Sequence, residues 1–311
     1  MSQSRWREYV ATEADTELTV EQVIREKLMV SGRMLQRLTR SKGIQLNRKT
    51  PFLGRKVKVG DRISVRVVDK PDPAASAGAQ MLLMNPDLPA PDVLYEDNEY
   101  IIINKPAGMM VHPVGEGQNE TLVHVLTAYW AAKGAPAVPH PVHRLDKETS
   151  GTVLIAKSSY AHQLADRLLR DNKISREYVA VLSGVVASDE GAVNAPIARD
   201  PLHKVRRRVH AKGENAVTHY KVLARSESMT LVEAWLETGR THQIRVHFAH
   251  LGHPLLGDTL YGGERSKATG QALHAHRLSF VHPVTSAPIA VEAKLPAGLA
   301  TFIEQEFKQN I

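Results

Sequence analysis

Apolar residues recur along this chain at two spacings, and the changes between them outline its elements. Over residues 18–29 they fall at 20, 23, 24 and 28, the pattern of a helix buried on one side. Ser31 is placed to cap a second helix running to Lys42, with Met34, Leu35 and Leu38 inward and Gly43 ending it. Arg33, Arg37 and Arg40 then occupy adjacent outward positions, with Lys42 at the helix end. Short strands are predicted over 44–47 and 57–68, the second broken by a turn at Gly60-Asp61. Residues 71–91 interrupt the pattern with prolines at 71, 73, 86, 89 and 91 and a run of small residues over 74–79, leaving one apolar patch at 81–84. This segment reads as a linker between a small unit at 1–70 and a large one at 92–311.

In the large unit the spacing predicts strands over 93–95, 100–104, 152–157, 178–184, 217–223, 230–235 and 243–246. Helices are predicted over 121–133, 161–172 and 299–310. Strands dominate the middle and show no βαβ rhythm. The fold class is therefore α+β, with a largely antiparallel sheet and a small N-terminal domain of helices and a hairpin.

Composition narrows the chemistry. The chain has 311 residues, 42% of them hydrophobic and 23% charged, enough to build a core. It has no cysteine, which excludes a thiol nucleophile, a disulfide framework and Cys-ligated zinc or iron–sulfur centres, and fits a reducing compartment. No apolar run approaches the roughly 18 residues a membrane span needs, and the first 17 residues lack the apolar stretch of a signal peptide. The expectation is a soluble, cytoplasmic protein that does not engage a membrane. The net charge of +7 is unevenly placed: residues 1–70 carry 16 Lys and Arg against 8 acids, and the rest is close to neutral. Within 30–66 there are 11 basic residues and one acid, Asp61. A stripe this basic on one short unit points to a nucleic-acid backbone.

Four segments could carry chemistry. His143-Arg144-Leu145-Asp146-Lys147-Glu148 leads into the apolar strand TVLIA, and cations beside Asp146 would favour its charged form. Such a carboxylate can serve as nucleophile or general base, although an Asp before a strand is usually a local hydrogen-bonding device. Gly239-Arg240-Thr241-His242-Gln243-Ile244-Arg245-Val246-His247 alternates across a predicted strand, so Arg245 would face away from Ile244 and Val246. An inward Arg there needs an anion; an outward one is a surface strand. His242, His247, His250 and His253, with His274, His276 and His282 beyond, are dense but lack carboxylates at ligand spacing, so a metal site is not favoured. Arg206, Arg207 and Arg208 form a basic tract suited to RNA phosphates or to a solvated loop. There is no P-loop, no dinucleotide fingerprint and no nucleophile elbow.

Taken together, HRLDKETSGTVLIAK, REYVAVLSG, LETGRTHQIRVHFAHLGHPLLGDTLYG and LHAHRLSFVHPVT resemble the successive motifs of the RluA-type pseudouridine synthases. VLYEDNEYIIINKPAGMMVHP resembles the start of their catalytic domain, and GIQLNRKTPFLGRKVKVGDRISVRV resembles the S4 RNA-binding module. The resemblance covers about residues 92–300 in order. It implies isomerisation of uridine in RNA without cofactor or metal. The expected substrate is large-subunit ribosomal RNA, bound with the help of the S4-like segment, and nothing in the sequence demands more than a monomer. By the same resemblance Asp146 is the catalytic aspartate, paired with Arg245. Arg144 fills the place of the extruded base, Tyr178 stacks on the flipped uracil, and Ile244 is the apolar residue beside the pair. Arg176 departs from the family's frequent lysine but keeps the charge. A tRNA target, or an RNA-binding or ribosome-assembly module that has lost catalysis, are the alternatives.

Overall fold

The structure is a computed structural model that describes residues 6–67, 89–113, 115, 120–135, 137–266 and 270–308. The predicted linker, with its apolar patch at 81–84, lies almost wholly outside the described residues.

The N-terminal unit runs β1 (Trp6–Val10), α1 (Val20–Glu26), α2 (Gly32–Arg40), β2 (Ile44–Leu46) and β3 (Arg62–Arg66). Both helices start where the sequence caps them. The Thr19 and Ser31 side chains accept hydrogen bonds from the Gln22 and Met34 amides. Lys42 turns left-handed after α2 and the Gly43 amide donates to Leu38 O, closing the helix. β3 lies between β1 and β2. The predicted strand over 57–68 is thus shortened to its second half. β1 was not expected, because WREYV carries two charges and lies at an edge, half out in solvent. Val20, Val23, Ile24, Leu35, Leu38, Ile63 and Val65 close the core.

The larger unit follows as β4 (Val93–Glu96), β5 (Tyr100–Lys105), α3 (Leu122–Ala132), β6 (His140–Pro141), β7 (Ser150–Ala156), α4 (Ser159–Arg170) and β8 (Ile174–Ser183). It continues through β9 (Glu190–Asn194), β10 (Ile197–Arg199), β11 (Arg207–Val209), β12 (Val217–Arg225), β13 (Met229–Leu236), α5 (Gln243–His250), β14 (Leu273–Val281), β15 (Pro288–Glu292) and α6 (Ala297–Phe307). Among the described residues ten strands form one sheet whose main path is β4-β5-β7-β14-β8-β13-β12-β9. Its pairings are antiparallel except β7 with β14. The α+β class with a mixed, mainly antiparallel sheet therefore holds.

The central strands β5 and β7 are buried on both faces. Ile101, Ile103, Val153 and Ile155 pack on one side with α3 and α5. Tyr100, Ile102, Leu154 and Ala156 pack on the other with Ala161 and Ala165 of α4. One face of α4 also reaches the N-terminal unit. Tyr160 and Leu164 enter that unit's core, and the Tyr160 hydroxyl donates to Leu28 O at 2.9 Å. The Ser31 amide donates to Gln163 Oε1 at 2.9 Å, and Arg7 pairs with Glu99 at 3.0 Å.

One predicted strand is a helix. Residues 243–246 open α5, so Arg245 is not on the opposite face of a strand from Ile244 and Val246. The period-2 alternation of Ile244, Val246 and Phe248 misled because α5 is buried nearly all round and has no polar stripe. Its polar side chains are satisfied internally. Gln243 Nε2 donates to Val217 O and Thr218 Oγ1, while its Oε1 accepts from the Thr238 hydroxyl and the Arg240 amide. His247 bonds to Thr218 Oγ1 and Ala195 O.

Candidate active site

A cleft of about 750 Å³ opens where the loop before β7, the middle of β8 and the start of α5 converge. Leu145 anchors the loop by entering the core. Gly151, at the start of β7, has φ +111°, and a Cβ there would lie 2.2 Å from Ala275 O. Only glycine lets β7 and β14 approach this closely. The register then places Gly151, Ala275, Tyr178 and Ala234 side by side across four strands. Tyr178 thereby comes to the same end of the sheet as Asp146.

Asp146 faces α5. Arg245 Nη1 donates to its Oδ2 at 3.0 Å. The rest of that guanidinium is clamped by Asp258, with Nε to Oδ2 at 2.7 Å and Nη2 to Oδ1 at 2.9 Å. Burial opposes the charge on Arg245, but the bonds and charges of Asp258 and Asp146 outweigh it and raise its pKa. Asp258 is held in a turn between Gly257 and Gly263, and Cβ atoms at these glycines would strike backbone. The ring of Tyr261 lies under the Arg245 guanidinium, 5.0 Å from its centroid.

His242 begins α5 in the left-handed conformation at φ +60°, which a non-glycine residue adopts only when its surroundings hold it there. The Tyr261 hydroxyl accepts from the Arg207 amide at 2.9 Å and is hydrogen-bonded to His242 Nδ1 at 2.8 Å. His242 Nε2 faces Asp146 Oδ2 at 3.9 Å. Burial lowers the His242 pKa; Asp146 opposes this and Arg245 adds to it, so the ring is neutral near pH 7.

Arg144 is exposed at the cleft mouth and donates to Thr241 Oγ1 at 2.9 Å. Tyr178 is buried, and that burial raises its hydroxyl pKa. Ile244 is buried against the same cavity. Beneath the loop, Lys105 is fully buried and donates to the carbonyls of Pro106, Met109 and Lys147. Desolvation lowers its pKa to about 8, with Glu148 and Asp146 opposing.

The structure thus gathers Asp146, Arg144, Tyr178, Ile244 and Arg245 around one cavity. Arg33, Arg37 and Arg40 lie apart from it on the exposed face of α2, lining a shallow groove with Gln36 and Ser41, and Lys42 follows at the helix end. Of the second basic tract, Arg206 is engaged by Asp200 at 2.7 Å, Arg208 is exposed, and Arg207 reaches the site through its amide. The clustered histidines are dispersed: His247 and His274 bond to backbone and hydroxyl groups, His253 to Ser183 O, and His242 alone of that set joins the cleft, which His112 and His143 also line. The sequence reading gave no role to Asp258 or Tyr261. Their one signal was the glycine-bracketed turn GDTLYGG.

The profile of one family, described as RNA pseudouridylate synthase, matches residues 99–250. The uncharacterized RNA pseudouridine synthase YhcT of Bacillus subtilis is 40% identical over 287 residues, covering 92% of each chain. The ribosomal large subunit pseudouridine synthase D of Xylella fastidiosa is 38% identical over 270 residues, 79% of this chain and 81% of that protein. Among solved structures, human RNA pseudouridylate synthase domain containing 4 superposes with a TM-score of 0.56 at 26% identity, covering 75% of this chain and 96% of that one.

Proposed function

The chain belongs to the RNA pseudouridylate synthase family, and from that premise we propose that it isomerises specific uridines of large-subunit ribosomal RNA, with Asp146 as the catalytic group. The carrying observation is the Asp146 carboxylate, fixed at the cleft by a guanidinium that Asp258 holds from behind. The ribosomal target is supported by relatives named for the large subunit and by the basic N-terminal unit, read as an S4-like RNA-binding domain spanning 1–70.

A uridine within a helix cannot present C5 to its own C1′, so it must leave the stack. Unstacking costs a few kcal/mol. Arg144, exposed at the mouth, offsets this by filling the gap, and Tyr178 by stacking on the extruded base. Cleavage of the N-glycosidic bond builds positive charge on the ribose. The Asp146 carboxylate, aimed by Arg245, stabilises that charge. The freed uracil turns between Ile244, Leu145 and Leu273 until C5 faces C1′. The new C–C bond forms and the C5 hydrogen is expelled as a proton.

That proton is the assay. With large-subunit rRNA transcribed in vitro and tritiated at uridine C5, the protein is expected to release tritium, and Asp146→Asn to abolish release while RNA binding persists. Release from tRNA alone would move the target. Near-wild-type turnover by the variant would remove Asp146 from the mechanism.

A further inference from the structure

Two arginines are buried in this cleft, and they are treated in opposite ways. Arg245, 8% exposed, is held by two carboxylates. Arg176 is 6% exposed and has no hydrogen bond or ion pair to any described residue, its Nε wholly shielded from solvent. A guanidinium does not shed its proton in a protein, and a buried charge without a counter-charge is costly to fold.

The surroundings supply no anion. Burial, helped by the Arg176 charge, lowers the pKa of neighbouring His143 to about 3, so that ring stays neutral. The cleft lining holds five arginines against two carboxylates. Of these two, Asp146 is taken by Arg245 and Glu237 lies 2.6 Å from His219. The far end of the Arg176 side chain is kept clear: a Cβ at Gly239 would sit 3.1 Å from its Nη1. Arg176 stands two residues before Tyr178 on β8, so both side chains face the cleft, about 7 Å apart along the strand.

We propose that Arg176 is a buried seat for a phosphodiester of the RNA strand that carries the flipped uridine. The proposal rests on the reading that the base stacks at Tyr178. RNA offers one class of anion, its backbone phosphate, and a planar guanidinium grips phosphate oxygens in pairs. The separation from Tyr178 is within reach of a single nucleotide, so extruding the base draws its own backbone toward Arg176. The free protein carries an unpaired charge that substrate neutralises.

The test compares Arg176→Met, Arg176→Gln and Arg176→Lys with wild type in three measurements. Without RNA, Arg176→Met is expected to melt about 2–4 °C higher, because an uncompensated buried charge is gone. A structural arginine would give a lower melting temperature and overturn the proposal. In filter binding to unmodified large-subunit rRNA, the slope of log K against log salt should become shallower by about 0.7–0.9 in the Met and Gln variants, and Arg176→Lys should restore it. In tritium release, KM should rise about tenfold in the Gln variant, with a smaller fall in kcat. Lost turnover with an unchanged salt slope would place a neutral uracil carbonyl at Arg176 and overturn the phosphate assignment. If the wild-type protein releases no tritium from rRNA or tRNA, the reading of the substrate fails instead, and the salt slope still decides whether Arg176 meets phosphate.

Discussion

Arg245 serves two carboxylates with one planar group, which a lysine ammonium cannot do. Arg245→Lys should therefore lose at least about 100-fold in kcat by tritium release even though the charge is kept. Asp258→Ala leaves a buried guanidinium half-paired and should cost about 3 kcal/mol of stability, read by urea unfolding. A different residue sets acid tolerance. His274 is buried, donates from Nε2 to Ala293 O and accepts at Nδ1 from the Ser150 hydroxyl, and burial lowers its pKa to about 4. Unfolded imidazole titrates near pH 6.5, so between about pH 6.5 and 4 the unfolded chain binds a proton that the folded one does not. The contribution is complete above that window and is lost as pH falls, by up to about 1.4 kcal/mol per unit. His143, lowered to about 3, adds in the same direction. Unfolding free energies at pH 7, 6, 5 and 4 should show this slope, and His274→Gln should reduce it by about one proton.

Among the elements, β7 and β14 decide whether the cleft exists. Gly151→Ala should destabilise by about 3 kcal/mol and lower activity in the survivors, since the added methyl meets Ala275 and pushes the Asp146 loop away. Urea unfolding together with tritium release checks both effects. Which elements the sequence disclosed follows from how each is buried. α1 and α2 are one-sided and capped, so their spacing reads directly. β14 was not predicted as a strand, and its geometry explains why. A bulge between Ala275 and Arg277 shifts the phase, so the apolar positions pass from odd (Leu273, Ala275) to even (Leu278, Phe280) and no single alternation spans the strand. α5 was taken for a strand because burial on all sides erased its helical stripe. At the site, Asp146, Tyr178 and Arg245 were found through local motifs. Asp258, Tyr261 and the isolation of Arg176 emerge only when separate segments meet, Asp258 with Arg245 and Tyr261 with Arg207 and His242, which no local spacing encodes.

At the scale of the molecule, the N-terminal unit and the sheet share a packing surface through Tyr160 and Leu164. Tryptophan fluorescence should report one cooperative unfolding transition, with Trp6 in the first unit and Trp130 and Trp235 in the second. Leu164→Asp places a charge in that surface and should split the transition in two. The sheet itself has a consequence for how the protein is born. β14 lies between β7 and β8, although it is made long after both. A nascent chain completed through Tyr261 already holds Asp146, Tyr178, Arg245 and Asp258, yet the strand that seats them side by side is still inside the ribosome. Until it emerges, β7 and β8 expose unpaired edges and must not close on each other. Activity thus waits until β14 has emerged, and slow insertion of that central strand should set the pace of folding.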